Sequence, residues 1–276
     1  MKRMICLLFI SVLLLTGCTP ASSGNSGSSG SGGKTTFTVG MECNYAPFNW
    51  TQMEANETAV QLEDGSYCDG YDVVIARRIA DALGYELVIK AIAWEGLEPA
   101  LSSGEIDAII AGMTANDERR KNHDFTTPYY ESEMVMLVRN DSDYVTATSL
   151  ADFSGARIIG QLNTTYDEVI DQIPGVIHEV PLQSYSAMVV ALINGEVDGI
   201  TAEMPVAVGT TSANPSLTYV RFTDGGFDVD TTTSIAVQKG NTELLIAIQG
   251  VIDGISVEER NQLMLEATQR QPAVEE

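Results

Sequence analysis

The sequence predicts an α/β fold built as two lobes, and three observations carry that expectation. Short apolar runs alternate with one-sided amphipathic segments, the rhythm of a parallel sheet with helices on its faces. A twelve-residue stretch recurs: residues 103–114 read SGEIDAIIAGMT and residues 194–205 read NGEVDGITAEMP, identical at six positions. Such self-similarity announces a duplicated unit. Composition also turns polar at Arg139-Asn140-Asp141 and again at Asp224-Gly225-Gly226, two places for the chain to pass between lobes.

The elements follow in chain order. Residues 37–41 (FTVGM) read as a strand, left by a loop that carries Glu42, Tyr45 and Phe48. Residues 49–69 are polar and expected to be irregular, with a turn at Asp64-Gly65. In residues 71–83 the apolar positions Val74, Ile75, Ile79, Ala82 and Leu83 recur at helical spacing, and Gly84 closes the helix. A strand at 86–91, a helix at 94–101 stopped by Gly104, and a strand at 106–111 complete a β–α–β–α–β run. A strand at 133–138 leads to Arg139. Beyond it come a strand at 157–160, a turn at 162–165 and a helix at 166–172 halted by Pro174-Gly175. A strand at 176–180, a helix at 184–193 and the repeated strand at 197–202 follow. A strand at 233–237, a helix at 242–255 and a last helix end the chain, with a tail from Gln269 expected to fray. Lobe 1 is therefore assigned to residues 35–139 and 227–276 and lobe 2 to 140–226, with hinge crossings near 139–141 and 222–226.

The first residues address the protein rather than fold with it. Met1-Lys2-Arg3 is a short basic region and residues 5–15 are apolar, too few to span a bilayer but suited to a signal peptide over residues 1–17. Leu15-Thr16-Gly17-Cys18 resembles the lipobox of bacterial lipoproteins, in which the cysteine takes the lipid and becomes the first residue. Ordinary secretory cleavage beside an incidental Cys18 is the alternative. Residues 18–34 then read as the lipidated cysteine and a Ser/Gly leash, reaching roughly 20–25 Å as a random coil. The formal charge of −23 argues against nucleic acid and against adhesion to anionic lipid surfaces, and serves solubility first. Cys43 and Cys68 are left once Cys6 and Cys18 are set aside; in an exported chain they point to a disulfide, with two free thiols as the alternative.

Ligands of open parallel sheets gather at the carboxyl ends of strands. Arg119 lies there, a planar fork able to hold a carboxylate at two points, with Thr114 beside it. Thr164 and Thr165 offer donors of the same kind from the other lobe, and Glu203 offers the opposite sign. Together they describe a pocket for a zwitterion, carboxylate on Arg119 and ammonium on Glu203. Tyr45 and Trp94 are candidate aromatic walls, facing each other across the mouth, and Glu42 could meet a cationic tail. His123 and His178 read as surface residues. No Ser/His/Asp set and no metal-ligand spacing is present in the pattern, so neither cofactor nor metal is expected.

These stretches together resemble the extracellular solute-binding proteins of family 3, the polar amino-acid receptors of ABC importers. The residues that carry the likeness are Tyr45-Ala46-Pro47-Phe48, Gly70-Tyr71-Asp72-Val73, Trp94-Glu95-Gly96-Leu97, Pro99-Ala100-Leu101, Gly104, Asp107, Gly112-Met113-Thr114 with Glu118-Arg119, and Phe125-Thr126-Thr127-Pro128-Tyr129. The resemblance implies a type II periplasmic-binding-protein fold, two α/β lobes with a two-crossing hinge and a central ligand cleft. It places the carboxylate arginine on Arg119 with Gly112 and Thr114 beside it, the lobe-2 Gly-Thr turn on Asn163-Thr164-Thr165, the ammonium-binding aspartate on Glu203, and the aromatic walls on Tyr45 and Trp94. Tyr166 joins Glu42, Tyr45 and Trp94 at the variable end of the ligand. Two departures stand out. Asn163 replaces a glycine, which calls for a left-handed backbone that Asn tolerates, and Glu203 is one methylene longer than aspartate. The insert between Cys43 and Cys68 is also longer than the family's loop.

The expected function is capture of a free amino acid, with cationic side chains such as arginine or lysine favoured by Glu42, and delivery to an ABC permease and its ATPase. The protein is expected to be a monomer on the outer face of the bacterial membrane, held to the bilayer through Cys18, and not an enzyme. The rivals are an exported cyclohexadienyl or arogenate dehydratase-like enzyme on the same fold, with Glu203 as its acid/base group, and a ligand-sensing ectodomain. Against the latter stands the end of the chain at Glu276, with no span or kinase segment following.

Overall fold

The computed structural model describes residues 35–272. The signal peptide, Cys18 and the leash lie outside the described residues, as do residues 273–276. Two five-stranded sheets organise the rest, and their plans match. In the first, Glu86–Ala91, Thr36–Met41 and Ala108–Ile109 run parallel, then Ala236–Gln238 and His123–Phe125 pair antiparallel. In the second, Ile177–His178, Arg157–Ile159 and Gly199–Glu203 run parallel, followed by antiparallel Met134–Arg139 and Leu217–Val220. The two copies of the repeat supply the central strand of each.

The repeat is a structural device. In both copies a helix, Trp94–Ser103 or Tyr185–Ile193, leads to a left-handed glycine, Gly104 at φ 78° and Gly195 at φ 74°. Gly104 N–H donates to the Leu101 carbonyl and Glu105 N–H to that of Ala100; Gly195 and Glu196 donate to Leu192 and Ala191 in the same way. This double bond closes a helix end and needs a residue free to adopt positive φ. Three residues on, the aspartate turns back to the neighbouring strand. Asp107 accepts Thr38 N–H at 2.8 Å, and Asp198 accepts Arg157 N–H at 2.9 Å. Each aspartate also donates its own N–H to the same residue's carbonyl, 2.8 Å in both lobes. A strand is thereby tied to its neighbour before the regular ladder begins.

Four expectations need correction. Met134–Arg139, assigned to lobe 1, pairs in the second sheet, with Met134 opposite Glu203. An all-apolar run fits the centre of either sheet, so periodicity has nothing with which to choose. The chain passes between the sheets instead beside Tyr130–Glu131 and Thr232–Thr233, which pair antiparallel. The Asp-Gly-Gly stretch near residue 225 follows Phe222, which packs with Phe153 and Phe227 on the second sheet's side. Residues 49–69 are not irregular: Asn44–Tyr45, Asn49–Gln52, Tyr67–Asp69 and Val60–Gln61 form an antiparallel sheet in that order. Its polarity reflects what it holds. Asp69, fully buried, accepts from Arg270, Asn56, Thr58 and Gly70 N–H. Burial raises its carboxyl pKa, but those donors hold it below the ordinary value. Arg270 at the end of helix Val257–Arg270 therefore anchors a terminus that was expected to fray. Cys43 and Cys68 are joined in a disulfide across this insert, their Cα atoms 5.8 Å apart.

One clamp reaches toward the cleft. His178 Nε2 lies 2.9 Å from Asp167 and Nδ1 3.0 Å from Asp171, both on the helical segment that starts at Thr165. A carboxylate only accepts and a neutral imidazole has one N–H, so both contacts are satisfied by imidazolium alone. Partial burial lowers the ring's pKa, and the two aspartates more than reverse this, leaving it raised. The clamp's stability is then complete below about 6.5, the ordinary histidine value, and is lost as pH rises through the elevated native pKa. His178→Phe should remove that component. The difference in melting temperature between wild type and variant is expected to shrink steadily from pH 6.5 to 8.5, and a difference constant with pH would contradict the clamp.

Candidate functional site

The carboxyl ends of the parallel strands in both sheets converge on one cavity. Its wall takes Glu42, Tyr45, Trp94, Gly112, Thr114 and Arg119 from the first sheet's loops. From the second sheet's side come Thr164, Thr165, Tyr166 and Glu203. Every ligand-binding candidate in the sequence thus reaches the same space. Gln161 and Tyr185 join them, with Ala111, Met188 and Thr201. Gln161 follows the Arg157–Ile159 strand, and strand-end position is the signal that could have found it.

Arg119 belongs to the short helix Asp117–Asn122, capped by the Asn116 side chain, which accepts Arg119 N–H at 2.9 Å. Its guanidinium is buried and donates to the Thr114 carbonyl at 2.8 Å and, across the cleft, to the Asn163 carbonyl at 3.0 Å. Nε lies 3.5 Å from Glu98, and the fork packs over Trp94, 5.1 Å from the ring centre. Burial lowers the arginine's pKa, opposed by Glu98 and Glu168. Guanidinium has five N–H groups, so the fork keeps donors beyond the two carbonyls. Glu98 also faces His123 Nε2 at 3.3 Å, and His123 is buried rather than on the surface because it begins a strand of the first sheet.

Behind Arg119 lies a buried polar relay. Gly112 N–H donates to the Tyr129 hydroxyl at 2.9 Å, which donates to Asp72 at 2.6 Å, and Asn49 donates to the other oxygen at 2.8 Å. Burial lifts Asp72 to about 7 against these hydrogen bonds. With its N–H committed to Tyr129, Gly112 has its carbonyl to offer the cleft.

Glu203 ends the central strand of the second sheet and is fully buried. One oxygen accepts from Tyr45 OH at 3.0 Å; Oε2 has no hydrogen-bond partner among the described residues. Burial pushes the carboxyl up to about 8, with Tyr45 and Tyr166 pulling down and Asp72 adding to the rise. No arginine, lysine or histidine is among the groups that shift it. The Tyr45 ring stacks on Phe48 and meets Tyr185 edge-on, Trp94 packs against Arg119, and both rings line the cavity.

At the far side, Gln161 Nε2 lies 3.2 Å from both Glu42 oxygens and 3.1 Å from the Gln183 carbonyl. Burial raises the Glu42 carboxyl and Gln161 opposes it. The Thr164 hydroxyl donates to the Gln161 carbonyl at 2.7 Å and caps the helix by accepting Asp167 N–H, so it serves the turn. Asn163 does adopt the left-handed conformation, φ 61°. Tyr166 is fixed from behind by Thr201, whose hydroxyl donates to its carbonyl at 2.8 Å. Among the described residues no cluster of three His, Cys, Asp or Glu is placed to hold a metal ion.

Known proteins are similar to this chain. The model of the bacterial extracellular solute-binding proteins, family 3, matches residues 37–266. The chain is 33% identical to the probable histidine-binding protein of Campylobacter jejuni over 78% of each. It is 30% identical to the ABC transporter arginine-binding protein 1 of Escherichia coli, over 79% of this chain and 84% of that one. The solved structure of the amino acid ABC transporter substrate-binding protein AbpA of Streptococcus pneumoniae, bound to L-arginine, superposes with a TM-score of 0.73 at 26% identity. That match covers 87% of this chain and 97% of the other. These relatives are transport binding proteins. The chain belongs to family 3 of the bacterial extracellular solute-binding proteins and has their type II periplasmic-binding-protein fold.

Removing the middle of the relay tests it. Tyr129→Phe leaves buried Asp72 with one donor fewer and Gly112 N–H without its acceptor, and is expected to cost about 1–3 kcal/mol in urea denaturation. A variant as stable as the parent would mean that the relay is not closed as described.

Proposed function

We propose that this exported amino-acid receptor of an ABC importer holds its ligand as a zwitterion between two fixed charges and reads the side chain with Glu42 and Gln161. One observation carries the reading: a fully buried Glu203 oxygen with no partner lies in the same cavity as a buried arginine fork. An α-ammonium supplies the missing donor and counter-charge, and an α-carboxylate takes the remaining Arg119 N–H groups together with Thr114 and Thr165. Gly112, whose N–H is taken by Tyr129, has no backbone donor to give the anion, and its carbonyl suits the ammonium instead. Tyr45, Trp94 and Tyr166 wall the ligand. Ligand that touches both lobes stabilises the closed form by its differential contacts, and the closed form docks on the permease and its ATPase.

The variable end favours a cationic tail, arginine or lysine. Glu42 presents a half-buried carboxylate whose one side-chain donor among the described residues is Gln161, and proteins that are similar include arginine-binding ones. Lipidation of Cys18 and a tethered monomer complete the proposal. Catalysis is not part of it, although a raised carboxyl could serve as an acid; turnover of prephenate or arogenate by the purified protein would overturn the transport reading.

A thermal-shift screen against the twenty amino acids is expected to raise the melting temperature with cationic ones most, and no rise with any would defeat the assignment. Arg119→Ala should abolish binding of every ligand. Glu42→Gln should weaken cationic ligands by about 10–100-fold, the value of a charged hydrogen bond, and leave neutral ones alone. Glu203 must also release its proton to solvent before it can pair with an ammonium. Calorimetry at pH 7 in buffers of differing ionisation enthalpy should show most of one proton released on binding, with affinity falling about tenfold per pH unit below about 8. Proton-neutral binding would place the ammonium elsewhere.

A further inference from the structure

Asn163 does more than occupy the place of a glycine. It lies on the second sheet's side of the cleft, and all three of its polar contacts reach the first. Its carbonyl accepts from Trp94 Nε1 at 3.1 Å and from Arg119 Nη2 at 3.0 Å. Its side-chain amide donates to Glu95 at 3.1 Å. The positive φ of 61° aims the carbonyl into the cleft while the side chain turns outward to the rim. Other contacts across the cleft are Tyr45 with Glu203 and Gln161 with Glu42, whose groups would handle the ligand itself, and Asn44, whose side-chain amide donates to the Ser186 hydroxyl at 3.2 Å. Asn163 uses neither the unpartnered Glu203 oxygen nor the Glu42 carboxylate.

We infer that Asn163 is a latch between the lobes, a positioning residue that holds the cleft shut through Trp94, Glu95 and Arg119 and so sets ligand affinity from outside the ligand's own contacts. This rests on the receptor reading above only for its effect on affinity; the latch itself is a property of the protein alone. A glycine at this position would keep the carbonyl and the backbone angle but lose the Glu95 contact and gain freedom in the open form. A larger closed fraction before binding lowers the apparent dissociation constant in proportion to that fraction. Arg119 is also oriented, because one of its N–H groups is committed to the Asn163 carbonyl before a carboxylate arrives.

The chain has two tryptophans, Trp50 and Trp94, and Trp50 is buried, stacked under Arg270. In a Trp50→Phe background the remaining indole therefore reports the latch. The experiment compares Asn163 with Asn163→Gly in protein freed of ligand by unfolding, dialysis and refolding, then titrates L-arginine. Asn163→Gly is expected to make Trp94 emission shift to the red and acrylamide quenching rise at least twofold. It should weaken L-arginine about 3–10-fold, the scale of one hydrogen bond, through a faster off-rate. Asn163→Asp should be worse, since two carboxylates would face each other, and Asn163→Asp with Glu95→Gln should recover by restoring a donor and an acceptor with their roles exchanged. Unchanged quenching in Asn163→Gly, or failure of the exchanged pair to recover it, would overturn the latch. If L-arginine does not bind the parent at all, the ligand assignment fails while the quenching series still decides the latch.

Discussion

The two aspartates of the repeat are what the cleft depends on. Asp107 and Asp198 each exchange two hydrogen bonds with one residue of a neighbouring strand, Thr38 and Arg157, just after a helix end closed by a left-handed glycine. That fixes the stagger between a helix and the strand after it, and hence how far the strand's other end projects. In one lobe the projecting end carries Gly112 and the turn to Arg119; in the other it ends in Glu203. A shift of one residue in either strand would turn its side chains to the opposite face, and the two charges would no longer share a space. Chain duplication here means duplication of a clip, and opposite charges were placed on equivalent ends of it.

The two charges are buried in different ways. Arg119 is settled by the protein: two carbonyls, a nearby Glu98 and an indole face share its charge. Glu203 is not: the Tyr45 hydroxyl bonds one oxygen, the Tyr166 hydroxyl stands close enough to lower its pKa, and no cation shares its charge. Burying a carboxylate without a counter-ion is resolved by holding a proton, which is the meaning of its rise to about 8. The arginine therefore acts as a preformed fork, whereas the glutamate waits for a cation to complete it. In the proposed reading, selectivity for an ammonium follows from that asymmetry, because an uncharged ligand atom at Glu203 gains little from a neutral acid. Asp72 strengthens the effect from behind while its own relay through Tyr129 holds Gly112 in place.

Much of the site was legible because its residues sit on strand ends, and strand ends show in a sequence as an apolar run followed by polar residues. Arg119, Thr114 and Glu203 were all found that way, and Tyr71–Leu83 and Glu86–Ala91 match their expected bounds. What escaped was pairing at a distance. The run Met134–Arg139 is buried on both faces, so nothing in it distinguishes one sheet from the other, and the crossing was placed one strand too late. The insert between Cys43 and Cys68 looked polar because its strands are short and its centre is an ion pair with Arg270, some 200 residues away in sequence. Tyr185 and Met188 reach the cavity from the face of a helix that packs on the sheet, where apolar spacing reads as core. His123 looked exposed by type, yet Glu98 and the sheet enclose it.

The left-handed backbone at Asn163 narrows what mutation can offer this position. Few residues tolerate that conformation: glycine, asparagine and aspartate lead. In the genetic code no asparagine codon becomes a glycine codon by a single base change, and the shortest paths run through aspartate or serine. Aspartate would set a second carboxylate against Glu95, and serine would lose the amide while straining the turn. A chain that carries asparagine here is therefore hemmed in by its neighbours in sequence space, and a change to the freer glycine turn must pass through one of these two.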